Sequence, residues 1–188
     1  KVNKNNTVAI HAAAGGVGSL LCQWANLIGA TVIGIVSSDE KITQIKNLGV
    51  HFCINSKRQD FAIEIMKITK GKGVDVIYDS VGKGTLQKGL SCLSQRGRLV
   101  SFGNSAGPIE LVDISKLKPL SASIACGGLL TFIQNKNERN KNAEELFKLI
   151  DKGHLKIAIN QRYEFNDISI AHEEIESRTT TGSSIIML

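Results

Sequence analysis

The stretch Thr7 to Gly18, TVAIHAAAGGVG, decides the fold. Thr7 to Ala13 is an apolar run of strand character, and Gly16 to Ile28 carries apolar residues at helical spacing. Where the two meet, Ala13-Ala14-Gly15-Gly16-Val17-Gly18 fits G-x-G-x-x-G with Ala13 in place of the first glycine. Alone, such a hexamer marks only a tight turn. Between a strand and a helix it gains chemistry: Gly15 lets the backbone approach a pyrophosphate, Gly18 lets helix and strand pack closely, and N–H groups near Gly16 and Val17 face the phosphates. Ala14, Gly15, Gly16, Val17 and Gly18 are therefore candidate dinucleotide contacts.

Outward from this turn, strands and helices alternate. Thr31 to Val36 closes a βαβ unit, and Asp39 is the expected N-cap of a helix over 40 to 47 that Gly49 stops. A short strand at 52 to 54, a helix at 59 to 69 and a strand at 74 to 78 follow. A helix at 85 to 93 and strands at 97 to 102 and 120 to 126 complete the set. The pattern predicts an α/β, doubly wound Rossmann sheet of about six parallel strands, because parallel neighbours require crossover connections. Asn142 to Lys152 reads as an amphipathic helix, and 135 to 142 as a solvated loop or helix end. Beyond it, β segments at 156 to 159, 162 to 165 and 183 to 187 flank a helix at 167 to 176 and do not extend the alternation. They are expected to pair with a second domain. The division expected is thus 1–150 for the nucleotide-binding unit and 151–188 for a C-terminal β/α extension.

Composition agrees. The 188 residues are 42% apolar but only 5% aromatic, the Ile/Val/Leu/Ala mixture that buried parallel strands use, and sufficient for one domain. The net charge of +6 suits an anionic cofactor, and the basic residues are scattered without interleaved aromatics, which argues against nucleic acid as the main partner. Cys22, Cys53, Cys92 and Cys126 stand far apart with no CxxC pair, so neither a zinc site nor a disulfide framework is expected. No apolar run reaches the roughly 18 residues of a membrane span, and no signal peptide is evident, so a soluble cytoplasmic protein is expected. The chain opens on a polar stretch without Met and enters a strand at once, from which a longer parent protein is expected.

An NAD site places Asp or Glu at the end of the second strand to hold the ribose 2′-OH. Ser37 and Ser38 stand there instead. A hydroxyl can donate to a 2′-phosphate, and Lys41, one helical turn on, can supply positive charge. NADPH is therefore expected over NADH, with Asp39 and Glu40 weighing against it. The loops Asp79-Ser80-Val81-Gly82 and Ser101-Phe102-Gly103-Asn104 also end strands on the ligand-binding side of such a sheet.

The motifs HAAAGGVG (11 to 18), CQWA (22 to 25), YDSVG (78 to 82), SFGN (101 to 104), ELFKLI (145 to 150) and HEEIESRTTTGSS (172 to 184) span the chain. Together they make it resemble the zinc-independent quinone oxidoreductases related to ζ-crystallin, within the medium-chain dehydrogenase/reductase superfamily. The resemblance implies a homodimer that uses NADPH to reduce a quinone or related enone. It also implies a GroES-like domain, outside this chain, against which the C-terminal extension would pack. Cofactor contacts implied by motif position are Gly16, Val17, Ser37, Lys41, Ser80, Phe102, Gly103 and Arg178. Ser56 stands where the family often has Tyr, next to Lys57 and Arg58. No catalytic acid is implied, and His11, His51, His154 and His172 are expected to be structural or exposed. A dinucleotide-sensing or nucleic-acid-binding module without turnover is the alternative. A short-chain dehydrogenase is set aside, since neither Tyr78 nor Tyr163 has Lys four residues later.

Overall fold

The computed structural model describes residues 1–109 and 111–188. Six strands form one parallel sheet: β1 (Thr7–His11), β2 (Thr31–Val36), β3 (Phe52–Asn55), β4 (Val74–Asp79), β5 (Leu93–Ser101) and β6 (Ser123–Cys126). Their spatial order is β3-β2-β1-β4-β5-β6, so the order reverses between β1 and β4. That reversal opens a crevice beyond the carboxyl ends of the strands, and it places the glycine-rich turn there.

Residue alternation along β1 accounts for the two buried layers. Val8 and Ile10 point to the face covered by α1 (Gly16–Ile28), where they join Cys22 and Ala25. Ala9 points to the opposite face, with Phe61 and Ile65 of α3 (Phe61–Ile68) and with Leu86 and Leu90 of α4 (Leu86–Leu90). Each large aliphatic side chain removed from water on these faces contributes about 1.5–3 kcal/mol before entropy is charged against it. The Rossmann expectation, parallel strands included, agrees with the structure.

Several boundaries differ from the expected ones, each for a local reason. β1 ends at His11 because Ala12 turns into the left-handed region (φ 50) and its carbonyl accepts from the Gly15 N–H at 2.9 Å. Ser38, not Asp39, caps α2 (Asp39–Ile45), its Oγ accepting from the Lys41 N–H at 3.4 Å. The expected helix over 85 to 93 stops at Leu90, since the Cys92 carbonyl accepts from the Val74 N–H and β5 begins at Leu93. The first part of the expected strand over 120 to 126 is instead the end of a 3-10 turn, Ile114–Leu120, and Ser121 (φ 48) redirects the chain into β6.

After the short α5 (Leu129–Phe132), α6 runs over Lys136–Asp151. The Lys/Asn stretch is therefore the first two turns of a helix, capped by Asn135, whose Oδ1 accepts from the N–H groups of Asn137 and Glu138. The two segments expected at 156 to 165 are one strand, β7 (Ile159–Glu164), followed by α7 (Ile168–Glu176) and β8 (Ser183–Met187). β7 and β8 pair with each other in parallel, outside the main sheet. This unit is tied to the first helix: Gln23 Nε2 donates to the Lys156 carbonyl at 3.0 Å and Gln23 Oε1 accepts from the Lys156 N–H at 2.7 Å. Among the described residues, no helix is long and apolar enough to cross a membrane.

Candidate functional site

Between the glycine-rich turn, β2 and the end of α7 lies a cavity of about 250 Å³. Ala14, Gly15, Ser37, Lys41 and Arg178 line it, five of the eleven residues singled out in the sequence. Gly15 sits at the N-cap of α1 in extended backbone (φ −79, ψ 173), so the conformation itself does not demand glycine. The demand is spatial, since Gly15 forms the wall of the cavity. The first amides of any helix lack a carbonyl one turn back, and an anion can satisfy them.

Gly18 acts differently. A Cβ there would lie 2.1 Å from the Ala12 carbonyl oxygen, so its lack of a side chain is what lets α1 sit against the end of β1. Gly16, Val17 and Gly18 are not among the residues lining this cavity; Val17 is 58% exposed at the rim of the turn. Phe102 and Gly103 line a neighbouring cavity of about 380 Å³ with Asn104, Ile109 and Cys126. Ser80, in the loop after β4, meets the loop after β5: its carbonyl accepts from the Ser105 N–H at 3.1 Å, and a Cβ on Gly103 would come 3.0 Å from that oxygen.

Two cations converge on the first cavity. Lys41 Nζ donates to the Arg178 carbonyl at 2.7 Å, and Arg178 Nη2 donates to the Ser105 carbonyl at 2.8 Å, linking α2, the end of α7 and the loop after β5. Arg178 itself is held at φ 60. Burial, and then the charge of Lys57, pull the Lys41 ammonium below its usual range. A group whose charged form is penalised in this way gains from an incoming anion.

The acid next to these cations faces elsewhere. Asp39 Oδ1 accepts from Asn55 Nδ2 at 2.7 Å, and its Oδ2 pairs with Arg58. Glu40 is fully exposed, and a hydrogen bond from Ser38 is the main cause that holds its carboxyl below the usual range.

Two buried groups support this site: Asp79, known from the sequence only as the start of a strand-ending loop, and His11, expected to be structural or exposed and found buried. Asp79, at the end of β4, is fully buried; its Oδ1 accepts from the N–H groups of Val81 (2.7 Å) and Gly82 (3.1 Å), and its Oδ2 from Thr85 Oγ1 at 2.8 Å. It braces the loop that carries Ser80. The signal was available, since Asp at the head of a turn bonds its own backbone two residues on. His11 lies at the cavity floor, 2% exposed, with its ring edge-on to Phe61, and burial lowers its basicity although Asp79 opposes this. Ser56, Ser105, Thr85 and Thr180 also line the cavity, and only Ser56 had been marked in the sequence.

A zinc-binding dehydrogenase family model matches residues 16–152. The chain is 40% identical to a quinone oxidoreductase of Salmonella typhimurium, with 100% of this chain and 58% of that protein covered. It is 39% identical to a 2-haloacrylate reductase of Burkholderia, covering 100% and 57%. It superposes on the Escherichia coli quinone oxidoreductase solved with NADPH at a TM-score of 0.94 and 38% identity, covering all of this chain and 59% of that one. The chain therefore spans under three fifths of the length of these relatives. Among the described residues, no group of three or more His, Cys, Asp or Glu is placed to hold a metal ion.

Proposed function

The chain belongs to the zinc-binding dehydrogenase family, and from that premise we propose that it is the cofactor-binding part of an NADPH-dependent quinone oxidoreductase that works without zinc. The observation that carries this reading is the meeting of Gly15, Ser37, Lys41 and Arg178 around one cavity at the point where the strand order reverses. A conjugated acceptor is the substrate class, in keeping with relatives named quinone oxidoreductase and 2-haloacrylate reductase. Residues 1–150 are the NADP-binding unit and 151–188 the extension that would meet a GroES-like domain in a longer cytoplasmic, homodimeric protein.

Ala14, Gly15, Gly16 and Val17 receive the pyrophosphate at the N-terminal end of α1, and Gly18 lets that helix end sit against β1. Ser37, Lys41 and Arg178 take the 2′-phosphate, a role for which hydroxyl and cationic donors fit and a free carboxylate does not. Lys41 and Arg178 now donate to neutral carbonyls, and a phosphate offers each an oppositely charged acceptor in exchange. Ser80, Phe102 and Gly103 form the ledge toward the reacting end, kept in place by Asp79 beneath. When bound, the reduced nicotinamide supplies the hydride. The chain's own contribution is alignment and exclusion of water, and no acid among its residues is assigned a proton.

The test has two arms: calorimetric titration of the chain with NADPH, and NADPH oxidation with a small quinone beside the Escherichia coli relative at equal concentration. Binding is expected to survive while turnover falls by orders of magnitude, because half a cleft does not hold an acceptor in register. Comparable turnover would contradict the division proposed, and absence of NADPH binding would contradict the reading itself.

A further inference from the structure

The second strand of an NAD-binding unit ends in a carboxylate that holds the ribose hydroxyls. This chain keeps an acid two residues past Ser37 and two before Lys41, both of which line the cavity, but Asp39 does not. Its carboxylate is engaged on both oxygens from the β3 side. Asn55, only 4% exposed, donates its Nδ2 to Oδ1 at 2.7 Å, and Arg58 pairs with Oδ2. Asn55 is itself fixed: its Oδ1 accepts from the Lys57 N–H at 3.1 Å, and its N–H donates to Gln59 Oε1 at 3.2 Å. Arg58 is the exposed member, its side chain 74% accessible, and can be changed with little risk to the core.

We infer that Asn55 and Arg58 are positioning residues that hold the Asp39 carboxylate away from the cavity and so set the preference for a phosphorylated over an unphosphorylated ribose. The inference rests on the dinucleotide reading above. The physical basis is twofold. A carboxylate that is free to turn toward Ser37 would repel a 2′-phosphate and accept hydrogen bonds from a 2′-OH, whereas one satisfied by an amide and a guanidinium has little to gain by turning. Hydrogen bonds to both oxygens also fix its direction, which net charge alone does not.

Calorimetric titration of the chain with NADPH and NADH, for the parent, Arg58→Ala, Lys57→Ala and Arg58→Ala/Asp39→Ala, separates direction from charge. Arg58→Ala and Lys57→Ala each remove one positive charge beside the site, but only the first removes a partner of Asp39. In Arg58→Ala, NADPH affinity is expected to fall and NADH affinity to rise, each by roughly three- to fivefold, the scale of one exposed charge pair. Lys57→Ala is expected to weaken NADPH without raising NADH, and the double variant to lose the NADH gain. NADH affinity falling together with NADPH in Arg58→Ala, or an NADH gain that survives loss of Asp39, would overturn the inference with the dinucleotide reading intact. A parent that binds neither nucleotide would remove that reading and the inference with it.

Discussion

Two parallel βαβ units of similar length, β1-α1-β2 and β7-α7-β8, meet at a bridge from Gly15 to Gly182, yet they are held together by different means. In β1-α1-β2, strand residues are buried on both faces: Val8, Ala9, Ile10, Val32, Ile33 and Ile35 are each at most 1% exposed. In β7-α7-β8, Ala171 is the buried residue of the helix, while Phe165, Ile168, Ile170 and Ile175 stand open. The second unit hangs on polar ties: Tyr163 Oη donates to Glu174 within it, the Gly182 N–H donates to the Ala14 carbonyl at 2.7 Å, and Gln23 holds Lys156 from α1. The lesson is that the cavity has one rigid wall, fixed by the core, and one wall, carrying Arg178 and Thr180, fixed mainly by hydrogen bonds.

Substitutions in the wall fixed by the core are expected to have the largest effect. Gly18→Val places a branched side chain where a Cβ already meets the Ala12 carbonyl at 2.1 Å, and is expected to lower global stability by about 3 kcal/mol. Gly15→Val, three residues earlier, meets only a 3.3 Å approach and keeps an ordinary backbone, so the chain is expected to fold while losing NADPH. Urea unfolding and calorimetry on both variants check the pair; similar unfolding midpoints for the two would refute the division of roles.

Next in size is Ser37→Asp, which replaces a hydroxyl on the cavity wall with a carboxylate and is expected to weaken NADPH by roughly 1–3 kcal/mol, as when a charge-assisted bond is lost and repulsion added. The second unit is probed by Gln23→Ala. Losing its two bonds to Lys156 is expected to loosen the unit by about 1 kcal/mol. Hydrogen exchange would then quicken at 183–187 and leave β1 and β2 unchanged. Uniform quickening would mean that the two units unfold as one.

The smallest effect concerns pH. Burial, opposed in part by Asp79, lowers the basicity of His11 in the folded chain, so between its ordinary value near 6.5 and its lowered folded value the unfolded state binds more protons. Stability should fall as pH drops below about 6.5 on this account. His11→Phe is expected to flatten the change in urea midpoint between pH 7 and pH 5; an equal slope in both proteins would assign acid sensitivity to other groups.

The same contrast explains what could be read from the sequence. α1 and β2 were located to the residue because their apolar positions face a core on a regular period, and the strand-to-helix turn carries its own glycine signal. β7, INQRYE, has no such alternation, and its pairing with β8 follows from a crossover that periodicity does not encode. α6 was cut short because its first turns are Lys and Asn, which cap and solvate without marking a face. Of the candidate site, Ser37 and Lys41 were legible from their offset to the turn, and Arg178 from motif resemblance. Asp39 was read as a helix cap and as an argument against NADPH, because nothing in the local sequence reports that Asn55 and Arg58, on another strand end, take up its oxygens. Long-range hydrogen bonds of that kind leave no local period.

The cavity above the glycine-rich turn is proposed to take a dinucleotide carrying a 2′-phosphate. Parallel calorimetric titrations of the unaltered chain with NADPH and NADH test it most directly. One site is predicted, with NADPH bound the more tightly because Lys41 and Arg178 exchange carbonyl partners for phosphate oxygens. Equal affinities for the two nucleotides, or binding of neither, would contradict it.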